Sequence, residues 1–215
     1  MREGLLWVHI IAGMTGLVSA LVAVVTRWAG RHRAHVWSGR VFFGGMMVAV
    51  ATAVPLALLG ANVFLLLIAL FSGYLAFSGW RAARHRSGEP AWVDLGAAGL
   101  MLAASVVMLG YGGVKLYEGH GLGLPLMVFG AIGGAVSAGH LRRWRRGEIK
   151  GRERIAHHLT MMLGATIAAV TAFVVTNITF EPSVVLWLAP TALITPLIVA
   201  WSRRVRGEPR EPPAG

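Results

Sequence analysis

Five side chains in otherwise apolar stretches of this sequence could do acid–base or ligand chemistry: His35, Asp94, His140, His157 and His158. His35 opens the second hydrophobic segment and Asp94 the fourth. His140 lies in the last turn of the fifth, and His157 with His158 opens the sixth. At about 1.5 Å of rise per residue, all five fall within one or two turns of the same boundary. Ionisable groups at membrane depth are costly to keep and often functional. If these segments are neighbours, the five groups share one layer.

Three chemistries suit those residue types. In the first they are interfacial: the histidines face water or headgroups, and Asp94 favours the positive end of a helix dipole. The second is a b-type haem, which needs two neutral imidazoles on facing helices at one depth and cations near the propionates. His35, His140 and His157 are the candidate ligands, with Arg31, Arg33, Arg40 and Arg142 nearby in sequence. The third is a metal ion, most plausibly zinc, which takes imidazole and carboxylate ligands and leaves a position for water at a catalytic site. Its candidates are His35, His140, His157, His158 and Asp94. His157 and His158 point about 100° apart on a helix, so at most one of them faces a bundle centre comfortably. Their helical companions Met161 and Met162 read as packing. No residue type or spacing assigns a catalytic step. At the opposite boundary, His9, Tyr111, Lys115, Glu118 and Asn177 would line either a vestibule or a solvated rim.

The elements that must position these groups are seven apolar runs, approximately Leu5–Thr26, Val36–Leu59, Asn62–Trp80, Trp92–Leu116, Leu124–Gly139, Ile155–Asn177 and Val184–Trp201. The fifth is expected to continue to Trp144. A membrane-spanning helix needs about 20 mostly apolar residues. Composition agrees: charged residues make up 13% of the chain, against about 25% in a soluble domain. Absence of cysteine excludes disulfides, thiolate metal sites and cysteine nucleophiles. The net charge of +11 would suggest nucleic acid in a soluble protein. Here the basic residues sit in short loops between apolar runs, so no nucleic-acid partner is expected.

Eighteen of the 20 Lys and Arg residues follow the first, third, fifth and seventh runs, and only Arg2 and Lys115 lie on the other side. By the positive-inside rule the chain is an all-α bundle of seven membrane helices, N-terminus outside and C-terminus cytoplasmic, in a bacterial inner membrane. Trp28, Trp37, Trp80, Trp92, Trp144 and Trp201 mark the inner boundary, and Trp7 and Trp187 the outer one. Residues 1–202 form the membrane domain and 203–215 a mobile tail. The first run reads as a span rather than a cleaved signal peptide. The loop Arg142–Arg154, with seven cations and two glutamates, is expected to bind anionic lipid headgroups. Small residues Gly130, Gly134 and Ala138 give the fifth run a ridge for close helix contact, within the bundle or in a homodimer. A faint echo links Gly16 and Val18-Ser19-Ala20 before His35 to Gly134 and Val136-Ser137-Ala138 before His157, as parallel transporter repeats would.

Three stretches carry a family resemblance. They are Arg152-Glu-Arg-Ile-Ala-His-His-Leu-Thr-Met-Met, Trp187-Leu-Ala-Pro-Thr with Pro196-Leu-Ile, and His9, Gly13 and His35-Val-Trp-Ser-Gly39-Arg40. Together they resemble a family of bacterial multi-pass membrane proteins catalogued as a domain of unknown function. Val36 stands where such a relative often has Arg. The resemblance implies a seven-helix inner-membrane protein and supplies no activity. Three functions stay open: an inner-membrane protein binding haem or a metal near the cytoplasmic face, a small-solute transporter or channel, and a structural or assembly subunit of a membrane complex.

Overall fold

The computed structural model describes residues 2–207, all in helices and short connections. There are seven helices: α1 Arg2–Trp28, α2 His32–Leu59, α3 Val63–Arg84, α4 Trp92–Tyr117, α5 Gly123–Arg145, α6 Gly151–Asn177 and α7 Val184–Arg206. No strand occurs among the described residues. All seven are long and apolar enough to cross a membrane. The shortest, α3, has 22 residues, or about 33 Å, against a hydrocarbon core of about 30 Å.

Where the boundaries depart from expectation, the helices run further at their basic ends. α3 continues past Trp80 to Arg84 and α7 past Trp201 to Arg206, while α5 ends at Arg145, one residue beyond the expected Trp144. Arginine is a good helix former, and its charge is favourable in a last turn, so apolarity ends before the helix does. Consequently Arg203, Arg204 and Arg206 belong to α7 and not to a tail. Gly207 closes the helix at φ +85, its N–H bonding the carbonyls of Arg203 and Arg204. The rest of the expected tail, 208–215, lies outside the described residues.

Helix α3 is the hub. Three antiparallel hairpins, α1–α2, α4–α5 and α6–α7, surround it, and α3 touches α2, α4, α5 and α6. The α1–α2 hairpin is stapled from both sides. His9 of α1 donates Nδ1–H to the Ala49 carbonyl of α2 at 2.9 Å, and His35 of α2 donates Nδ1–H to the Ala23 carbonyl of α1 at 2.9 Å. Close approach at Gly45 helps: a Cβ there would lie 2.9 Å from the Ala12 carbonyl oxygen. The α4–α5 hairpin is closer still. A Cβ on Gly123 would sit 2.6 Å from the Gly112 carbonyl oxygen, and one on Gly133 2.5 Å from Met101 Cε. The small-residue ridge of α5 therefore serves packing inside the bundle. It runs through Gly123, Gly130 and Gly133, while Gly134 makes only ordinary contacts.

The internal echo does not extend to architecture. α1 and α2 pack along each other, whereas the backbones of α5 and α6 make no close approach. The vestibule of mixed residues is not assembled either. His9 is engaged with α2, and α1 makes no contact with α4, which carries Tyr111 and Lys115. Lys115 instead hydrogen-bonds Glu118 at 2.8 Å, which holds that exposed carboxyl below its usual range.

Candidate functional site

The loops after α1, α3 and α5 and the end of α7 meet at one end of the bundle, the basic end. Trp28 packs edge-on against Trp201 with centroids 5.5 Å apart. Arg154 Nη1 donates to the Ala82 carbonyl at 2.5 Å, covering a carbonyl that the end of α3 leaves free. Of the tryptophans expected at this boundary, Trp28, Trp37 and Trp92 are exposed on the outside. Trp80 instead stacks on Phe43 at 4.6 Å, and Trp144 packs against His140.

The candidate residues do lie at one depth, but they separate into three places. His140 of α5 and His157 of α6 meet over α3, their ring centroids 4.1 Å apart at an interplanar angle of 64°. His140 is fully buried. The Tyr74 hydroxyl and His140 Nδ1 are hydrogen-bonded at 2.5 Å, and Ser78 stands 3.3 Å from His157 Nε2. His140 Nε2 and His157 Nδ1 are buried with no hydrogen-bond partner. Each ring thus keeps one buried nitrogen without a partner among the described residues, where an unmade hydrogen bond costs about 1–3 kcal/mol.

His158 and His35 face elsewhere. His158 Nδ1–H donates to the Gly79 carbonyl of α3 at 2.8 Å, and His35 points to α1. Asp94 forms a third unit. Arg81 grips it through two hydrogen bonds, Nε to Oδ1 at 2.7 Å and Nη2 to Oδ2 at 2.6 Å, and the Ala91 N–H donates to Oδ2 at 2.8 Å. Asp94 therefore does cap α4, and it also neutralises a guanidinium that is 13% exposed. His85 hydrogen-bonds the same guanidinium.

A small cavity of about 30 Å³ connects the two inner units. Ser78 and His157 line one side, Arg81, His85 and Asp94 another, and Trp144, Ile149 and Arg154 close it. That volume suits roughly one water. On the other side of the histidine pair the core turns apolar. Phe71 stacks on Phe129 at 5.5 Å, with Met101, Met108 and Leu126 around them.

This geometry bears on both ligand readings. An iron bridging two imidazoles at about 2 Å each would hold the ring centroids roughly 6 Å apart with a macrocycle between them. The 4.1 Å separation and the 30 Å³ cavity admit no haem between His140 and His157. Nor does the fold gather His35, His140, His157, His158 and Asp94 into a metal centre. Among the described residues no three His, Asp or Glu side chains come together as one.

Helix α3 supplies what sequence reasoning missed: Tyr74, Ser78 and Arg81. Their spacing of four and three residues puts them on one face of a helix that is otherwise apolar, a stripe legible in principle. No family model, no curated protein and no solved structure matches the chain.

Proposed function

We propose that this protein is a proton-handling transporter or channel for a small solute in the bacterial inner membrane, with its basic end in the cytoplasm. The observation that carries the reading is the buried His140–His157 pair, with one unpartnered nitrogen on each ring. Intramembrane histidines serve proton relays. A proton entering from the basic end crosses the small cavity and reaches the His157–His140 pair, where Tyr74 holds the His140 ring in place. The Phe71–Phe129 layer stops it there. The conformation is therefore closed toward the opposite side, and passage requires α5 or α6 to move past α3. Proline at 190 and 196 in α7, which packs on α6, supplies points at which such a helix can bend. The chain falls with the bacterial multi-pass proteins it resembles.

The test is proton movement in liposomes that contain a pH-sensitive dye. Under an imposed pH gradient, wild type should carry protons well above empty liposomes, and His157→Gln and His140→Gln should each lower the rate about a hundredfold or more, the range general acid–base groups contribute. Equal rates in wild type and His157→Gln would overturn the reading.

Orientation is tested separately. Reporter fusions at Gly60, Gly121 and Pro182 should read external, and fusions at Ser87 and Gly147 cytoplasmic. Two reversed reporters would sink the assignment.

A further inference from the structure

Five of the arginines around the α5–α6 connection divide into two groups. Arg143 and Arg154 turn inward: Arg143 pairs with Glu153 at 2.8 Å, and Arg154 covers the end of α3. Glu153 also takes Arg206 of α7 through two hydrogen bonds, at 2.6 and 3.1 Å, so this part of the basic end is partly neutralised internally. Arg142, Arg145 and Arg146 turn outward. Together with Leu102, Ala138 and Leu141 they line a groove of about 470 Å³ between α4 and α5. Arg142 and Arg145 make no ion pair among the described residues, and Arg146 has only an exposed contact with Glu148 at 3.6 Å. Leu102 stands ten residues into α4, about 15 Å along the axis from its start. The groove therefore has three guanidiniums at its mouth and an apolar wall that runs inward along the span.

We propose that this groove binds one anionic glycerophospholipid. Its phosphodiester sits among Arg142, Arg145 and Arg146, and an acyl chain lies against Leu102, Ala138 and Leu141. The inference rests on the membrane reading above. Charge complementarity favours an anion, since guanidinium forks match phosphate oxygens and basic residues at a membrane surface attract acidic lipids. The exposed apolar wall favours a lipid over a soluble phosphate, which would leave the wall uncovered. This narrows the expectation for the whole basic loop. Lys150 lies outside the groove, over the α3–α4 connection, 3.1 Å from where a Cβ on Gly88 would be.

The experiment uses the full chain in nanodiscs of phosphatidylcholine doped with phosphatidylglycerol, followed by native mass spectrometry of the extracted protein. Wild type should retain one phosphatidylglycerol. The triple variant Arg142→Gln, Arg145→Gln, Arg146→Gln should lose it, with occupancy down about tenfold or more. The control triple Arg31→Gln, Arg33→Gln, Arg40→Gln removes equal charge from the same end and should keep the lipid. Leu102→Trp should lower retention with every charge intact. Equal retention by wild type and the groove triple overturns the proposal, as does equal loss in the two triples. Displacement of the lipid by glycerol phosphate overturns the commitment to a lipid in favour of a free phosphate. Stable solution of the chain in buffer without detergent overturns the membrane reading and the groove with it.

Discussion

Asp94→Ala should destabilise the protein by about 3–5 kcal/mol, the usual cost of leaving one member of a buried ion pair uncompensated. Arg81 and Asp94 are 13% and 7% exposed and joined by two hydrogen bonds, so little water is at hand to replace the carboxylate. The substitution also strips the Ala91 N–H of its acceptor at the start of α4. Thermal unfolding in detergent, followed by far-UV circular dichroism, measures the loss. The control is Arg81→Met combined with Asp94→Leu, which removes both charges and keeps volume. It should recover most of the stability, because an apolar pair of similar size often replaces a buried ion pair without loss. If the double variant is as unstable as the single one, the charges are not what the site depends on.

Gly88→Ala should cost roughly 2–6 kcal/mol and open the cavity beneath it. Two effects add. Gly88 sits at φ +73, a conformation that strains a residue with a Cβ by about 1–3 kcal/mol. Its Cβ would also fall 1.9 Å from the Ile149 carbonyl oxygen. Overpacking of that kind costs typically 1–3 kcal/mol more, and no rotamer relieves it because both partners are backbone. Gly147→Ala separates the two effects. Gly147 has φ +65 and open space where a Cβ would go, so it should lose only the strain. Since Ile149 closes the cavity beside His157, Gly88→Ala should also speed hydrogen exchange of the α6 amides near His157. Equal losses at positions 88 and 147 would show that the two loops do not press together there.

The seven helices and the shared depth of the polar groups were legible because both follow from counting along the chain. Apolar runs give the number of helices, and distance from a run's edge gives depth. His140 and His157 could be placed in one layer on that basis alone. Which groups touch was not legible, because the contacts that decide it join α3 to α6 and α5, far apart in sequence. His35 and His157 look alike in the sequence, each one turn into a helix behind an arginine-rich loop. Only packing turns one toward an α1 carbonyl and the other toward a second imidazole. Asp94 read as a helix cap and is one, but its main partner, Arg81, was counted among the loop cations that set topology. Helix ends lie beyond the apolar runs where arginines continue the helix, at Arg84 and Arg206.

The hub position of α3 has a consequence for how the molecule is built. Its principal partner, α6, begins about 70 residues after α3 ends. At roughly 5–20 residues synthesised per second, that is a delay of several seconds. The stapled α1–α2 hairpin can close as soon as it is made, since both histidine contacts are internal to it. During the wait α3 carries Tyr74, Ser78 and Arg81 on a face whose permanent cover does not yet exist. Asp94, the third residue of the next helix, arrives within a dozen or so residues and neutralises the charge on that face. The Arg81–Asp94 ion pair thus needs nothing made after α4, and only later does α6 bring His157 over the stripe and complete the core.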